Sequence, residues 1–312
     1  VDGVEVNANL TTTTGALSLD GDSDNAVDTL SGNDYILFAS GTTLTSAGNI
    51  TLSAANGGMT TAGNLTLSAP SSITMTGTMS GTGDISLSAS NGITLNNSIS
   101  TSSGLLSINA NSSALTLGSG VTLSSTNALT LAASSTTSSG DLTLTSSAST
   151  INVNNALVSA GAVTMTASTG LTLSNSTLTG SGNISLQGGS SLSLASGTTI
   201  TSSAGNITLG ASGGSITANG ALTLSSNGSI TVSNALTATG AATLNANSGI
   251  TLGNSFTANG AVALDADLDN NGTGDFTISS GPLSTTSNAL TLTANDLALT
   301  GSLNSGTGST TI

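Results

Sequence analysis

Along most of the chain, apolar and polar residues alternate in short runs, and each run is closed by Gly, Asn or Ser. Residues 83–103 show the pattern as Ile85-Ser86-Leu87-Ser88, then Ile93-Thr94-Leu95, then Ile99-Ser100-Thr101. A period of two puts Ile85, Leu87, Ile93 and Leu95 on one face and Ser86 and Thr94 on the other, as in half-buried strands. Residues 104–126 repeat it with Leu106-Ser107-Ile108, Leu115-Thr116-Leu117 and Val121-Thr122-Leu123. Apolar residues do not recur at i, i+3 and i+4, and the abundant Thr, Ser, Asn and Gly lower helix propensity. Three strands in about 20 residues make one coil of a triangular β-solenoid. The pattern predicts an all-β, right-handed parallel β-helix.

One phrase marks the coils: Gly-Asn/Asp-Ile/Leu-Thr/Ser-Leu. It begins at Gly48, Gly63, Gly83, Gly140, Gly182 and Gly205, with looser copies at Gly161, Gly220, Gly240 and Gly260. Successive starts at 48, 63, 83, 104, 127, 140, 161, 182, 205, 220, 240, 260 and 288 repeat a series of one short interval, two medium ones and one long one. The resulting superrepeat is about 80 residues, with starts near 48, 127, 205 and 288. Such internal repetition predicts a solenoid in which each unit packs on its neighbours. Residues 1–14 read as a segment entering it, and residues 15–312 as one continuous array of about fourteen coils. The short intervals, such as 48–62, show only two strands. Gly and Asn at the corners fit positions where positive φ is often needed.

Composition narrows the function. The chain has no Lys, Arg, His or Cys, and its formal charge is −14. Without cations it cannot neutralise phosphates, so nucleic acid and anionic membrane are excluded as electrostatic partners. No apolar run is long enough to span a membrane, which excludes membrane insertion by a helix. The missing Lys and Arg leave trypsin no cleavage site. At 36% hydrophobic, with about 1% aromatic residues, the core must be thin and aliphatic.

With its phrase and triangular coil, the chain resembles the central repeats of the filamentous haemagglutinin family, large bacterial adhesins and exoproteins exported by two-partner secretion. The Gly-Asn-Ile-Thr-Leu-type units at 48, 63, 182 and 205, their spacing and the absence of cysteine carry the resemblance. It implies an extracellular, cell-surface protein. The Asn-Pro motifs of that family's secretion domain have no match, since neither Pro70 nor Pro282 follows Asn.

Catalysis is poorly supplied. The general bases, amines, thiols and oxyanion clamps that His, Lys, Cys and Arg provide are all missing. Asp84 and Asp141 are the only charged residues between Tyr35 and Leu264, and they fall in separate coils. The other acids cluster. Leu19-Asp20-Gly21-Asp22-Ser23-Asp24 aligns with Leu264-Asp265-Ala266-Asp267-Leu268-Asp269, and both stretches run on to an acid and an aromatic, Asp34-Tyr35 and Asp275-Phe276. Acids at alternate positions followed by Asn and Gly suit calcium, which takes oxygen ligands from such loops. Asp265, Asp267, Asp269, Asn271, Thr273 and Asp275 are the expected ligands in one loop, and Asp20, Asp22, Asp24 and Asp28 in the other. Ile278 stands where an EF-hand has its closing Glu, so the loop is of another kind.

These features predict a secreted, non-enzymatic structural or adhesive β-helix that forms a surface fibre or part of one. Residues 308–312 stop partway through a coil. The expected partners are therefore copies of itself stacked end to end, or adjoining repeats of a longer chain, along with cell-surface glycans. The alternative is an ice- or carbohydrate-binding solenoid region of a large adhesin. Outward pairs such as Thr51/Ser53 and Thr164/Thr166 resemble ice-binding rows, but the second position drifts to Asn109, Ala132, Gln187, Gly210 and Asn245. Ordinary strand-surface propensity explains those pairs.

Overall fold

The computed structural model describes residues 3–22, 34–174 and 177–312. It forms two compact units, Val1–Asn155 and Ala156–Ile312. Both are three-sided parallel β-helices, and no helix among the described residues is long and apolar enough to cross a membrane.

In the first unit, strands fall on faces A, B and C in rotation. Val4–Val6 lies on A, Leu10–Thr11 on B and Leu17–Asp20 on C, and Ile36–Phe38 returns to A. Coils stack in register. On face A, Ile36, Met59, Met79, Ile99, Leu123 and Leu144 form one inward column; on face B, Leu44, Leu67, Leu87, Ile108, Leu131 and Val153 form another. Each of these side chains is buried, and each contributes about 1.5–3 kcal/mol by leaving water. Thr66, Ser86, Ser107 and Thr130 stack outside as the matching hydroxyl ladder. The strands at 83–126 lie where the alternation placed them: Ile85–Ala89, Ile93–Leu95, Ile99–Thr101, Leu106–Asn109, Ala114–Leu117 and Val121–Ser125.

The second unit keeps the rotation, with Ala156–Ser159 on C, Val163–Ala167 on A and Gly170–Leu173 on B. Its face C carries the inward column Leu157, Leu178, Ile200, Leu224, Leu244, Leu264 and Leu292. Phe256 and Phe276 fill this core and Phe38 fills that of the first unit, all at 0–1% exposure. The three phenylalanines are therefore packing residues.

The phrase does not stay on one face. In the first unit, Gly48 leads into Ile50–Ser53 on face C. The starts at 63, 83, 104 and 127 lead into Leu65–Ala69, Ile85–Ala89, Leu106–Asn109 and Leu129–Ala132 on face B, and Gly140 leads into Leu142–Ser146 on face A. In the second unit, the starts at 161, 182 and 205 serve face A, and those at 220, 240, 260 and 288 serve face C. A short interval is therefore two sides of the triangle, not a small closed coil. After Ile50–Ser53 and Met59–Thr61, the third side is Leu65–Ala69, which already belongs to the next phrase.

The phrase glycines also differ from expectation. The left-handed glycines are others, such as Gly41, Gly58, Gly77 and Gly92. Space is what excludes a side chain from the phrase. A Cβ on Gly83 would sit 2.5 Å from Asn64 Oδ1 and 2.6 Å from its backbone N, and one on Gly205 would meet the same two atoms of Asn183 at 2.5 Å. Stacked corners approach too closely for anything larger than hydrogen.

Candidate functional site

The second residue of the phrase makes a ladder up the corner. Asn64 Oδ1 accepts from Asp84 N at 2.9 Å, and Asp84 Oδ1 accepts from Leu105 N at 2.9 Å. In the second unit, Asn183 Oδ1 accepts from Asn206 N and Asn206 Oδ1 from Ser229 N, both at 2.8 Å. Asp84 thus does the same job as an asparagine, satisfying a backbone N–H that the strand ladder leaves over. Asp141 stands at the same position of the phrase that begins at Gly140.

Sequence reasoning missed a second corner device, a buried hydroxyl at the strand end. Ser202 Oγ donates to Gly182 O at 2.7 Å and accepts from Gly205 N at 3.0 Å. Ser226 Oγ does the same between Gly205 O (2.7 Å) and Gly228 N (3.1 Å), and Ser46 Oγ between Gly15 O (2.9 Å) and Gly48 N (3.1 Å). Each hydroxyl clamps one coil's corner to the next. The sequence signal is Ser or Thr two or three residues before a corner glycine, as at Thr61 and Thr101.

Both acidic stretches fall in sequence between a face C strand and a face A strand. One follows Leu17–Asp20 and returns at Ile36–Phe38; the other follows Val262–Asp265 and returns at Phe276–Ile278. In the second unit, Asp267 is 8% exposed and the loop wraps its carboxylate. Its Oδ1 accepts from Asn271 N at 3.1 Å and its Oδ2 from Gly272 N at 3.0 Å. Gly272, at φ 79°, permits the turn that aims those amides inward. Asp269 Oδ2 accepts from Asn271 Nδ2 at 2.9 Å, Thr273 Oγ1 donates to Asn271 Oδ1, and Asp265 Oδ1 accepts from Asp267 N at 3.3 Å. Asp267, Asp269, Asn271 and Thr273 are thus brought together, while Asp275 is exposed.

In the first unit, Asp24 and Asp28 lie outside the described residues, and Asp20 is exposed. Asp22 is only 1% exposed, and Asp34, at the far end of the stretch, is 8% exposed. Asp22 Oδ2 accepts from Asn56 N at 3.2 Å and from Asn56 Nδ2 at 2.8 Å, whereas Asp22 Oδ1 is buried with no hydrogen-bond partner. Among the described residues, no three acidic, His or Cys side chains converge on one point suited to a metal ion.

A third feature lies on face A of the first unit. Thr60, Ser80, Ser100 and Ser124 stand outward in register, and with Gly81 and Thr82 they line a hollow of about 510 Å3. The lining is hydroxyl-rich and carries no charge.

Comparison with protein families places these features. A model described as haemagglutinin repeat matches residues 3–54, 101–158 and 158–226, more than half of the chain. A model described as repeats of unknown function matches residues 39–109 and 212–265. No curated protein and no solved structure matches. Stacked three-strand coils, the phrase that ties their corners together and the extent of the first match lead to one conclusion: the chain belongs to the haemagglutinin repeat family and is an adhesin-like repeat protein.

Proposed function

We propose that this chain is a non-enzymatic, adhesive spacer within an extracellular surface fibre. The observation that carries this reading is the pairing, within each unit, of an aliphatic core with outer faces of stacked Ser and Thr that are almost free of charge. Such faces contact a partner through many weak, neutral hydrogen bonds, and repetition turns weak contacts into avidity. The absence of Lys and Arg supports a role where trypsin-like proteases are present.

The test is adhesion of beads coated with the chain to cultured cells, under flow, at low and high ionic strength. Retention above that of uncoated beads, changing little with salt, is expected because few charges exist to be screened. Retention equal to bare beads, or abolished by salt, overturns the reading. The hydroxyl-lined hollow favours a second reading, a site for a neutral glycan. Periodate treatment of the cells separates the two, since only the glycan reading requires retention to fall.

A further inference from the structure

Asp22 carries a buried carboxylate oxygen that has no hydrogen-bond partner among the described residues. A carboxylate withdrawn from water needs either several N–H donors or a neighbouring positive charge, and an uncompensated one costs several kcal/mol. One of its oxygens has two donors, both from Asn56, and the other has none. With no Lys, Arg or His anywhere in the sequence, no side chain can supply the charge.

The surroundings gather further oxygen. Gly21 packs against the backbone of Tyr35, where an added Cβ would lie 2.4 Å from Tyr35 O. Gly57 packs against Asp34, where a Cβ would lie 2.0 Å from Asp34 O. Asn56, which holds Asp22, is the residue before Gly57, so the Asp22 carboxylate and the Asp34 backbone carbonyl lie against the same dipeptide of the next coil. Both aspartates are at least nine-tenths buried. Asp20 Oδ1 accepts from Asp22 N at 3.1 Å, which fixes the approach.

We propose that Asp22 and Asp34, meeting at the Asn56–Gly57 backbone, form a binding site for a hard, oxygen-seeking cation of the calcium class. Such ions take carboxylate, carbonyl and water oxygens in flexible arrangements, so two carboxylates with nearby backbone oxygens suit them. The ion supplies the positive charge that the composition withholds. It also ties Asp22 and Asp34 to the coil that carries Asn56. The loop at 265–275 differs because Asp267 already spends both oxygens on Asn271 N and Gly272 N.

Tyr35 makes the site addressable, because it is the only tyrosine, there is no tryptophan, and it adjoins Asp34 in sequence. Terbium(III), a luminescent stand-in for calcium, is titrated into the full chain in chelator-treated buffer with excitation in the tyrosine band. A saturable emission is expected, displaced by millimolar calcium, lost in Asp22→Asn and reduced in Asp34→Asn. It should persist in Asp267→Asn combined with Asp269→Asn. Circular dichroism checks that each variant keeps its β spectrum. If Asp22→Asn does not fold, Asp34→Asn decides, and undiminished emission from that folded variant overturns the site. No emission from the wild type, emission that calcium cannot displace, or emission lost only in the Asp267/Asp269 pair also overturns it.

Discussion

Leu17–Asp20 and Val262–Asp265 both end on an aspartate at the corner between faces C and A. In each, the aspartate two residues on turns its backbone N–H to the first: Asp22 to Asp20 at 3.1 Å, Asp267 to Asp265 at 3.3 Å. Beyond that point the two insertions part. Asp267 draws its donors from within the loop, four and five residues further on. Asp22 draws its donors from Asn56, 34 residues away on the next coil, and leaves one oxygen unserved. Five residues after Asp267 stands Gly272, in the left-handed region. The comparison teaches that an acidic pattern fixes where a buried carboxylate goes, and that the donors around it decide whether both of its oxygens are satisfied.

The largest test asks whether the platforms beneath the two loops are equivalent. Phe38→Ala and Phe276→Ala each empty a fully buried aromatic position on face A, and each should cost about 3–5 kcal/mol in denaturant unfolding. Similar losses would confine the difference between the regions to the loops; a loss under 1 kcal/mol at either site would break the comparison at its base.

The next test is one of sign. Asp267→Ala releases the amides of Asn271 and Gly272 and should cost about 1–3 kcal/mol with or without calcium. It should speed hydrogen exchange at those two amides. Asp22→Asn, assayed in chelator, should hold or raise the thermal midpoint, because it removes a buried charge that lacks compensation. Equal destabilisation by both variants in chelator would show that Asp22 is served as fully as Asp267.

The smallest effect is expected at Asp84, where an acid sits on the corner ladder and not in a loop. Asp84→Asn keeps the acceptor for Leu105 N and should shift stability by less than about 0.5 kcal/mol in a denaturant titration. A large shift would mean that negative charge itself matters along the corners.

The strands were legible because the period of two is imposed by the pleat, and at 83–126 the alternation marks each strand to within about two residues. The phrase was legible too, but its physical reason was not. Gly83 and Gly205 are excluded from carrying a Cβ by the coil beneath, a contact between residues more than 18 apart that no local propensity reveals. The clamps of Ser46, Ser202 and Ser226 were hidden by composition, since one serine among so many carries no visible signal until its depth is known. At the acidic loops the sequence aligned Asp22 with Asp267 correctly. It could not show that Asn56 would lie over one of them, because that neighbour is set by coil stacking and not by chain proximity.

The movement of the phrase between faces couples length to direction. From 48 to 126 the chain makes eleven strands, three turns and two sides of a fourth. Removing that stretch would leave every junction between corner glycines intact, since Leu129–Ala132 would follow Thr42–Thr45 in the place of Ile50–Ser53. The strands from 129 to 153 would then each sit one face further round, a third of a turn. Loss or gain of a superrepeat in this unit therefore re-aims whatever the downstream coils present, so that copy number sets azimuth as well as reach.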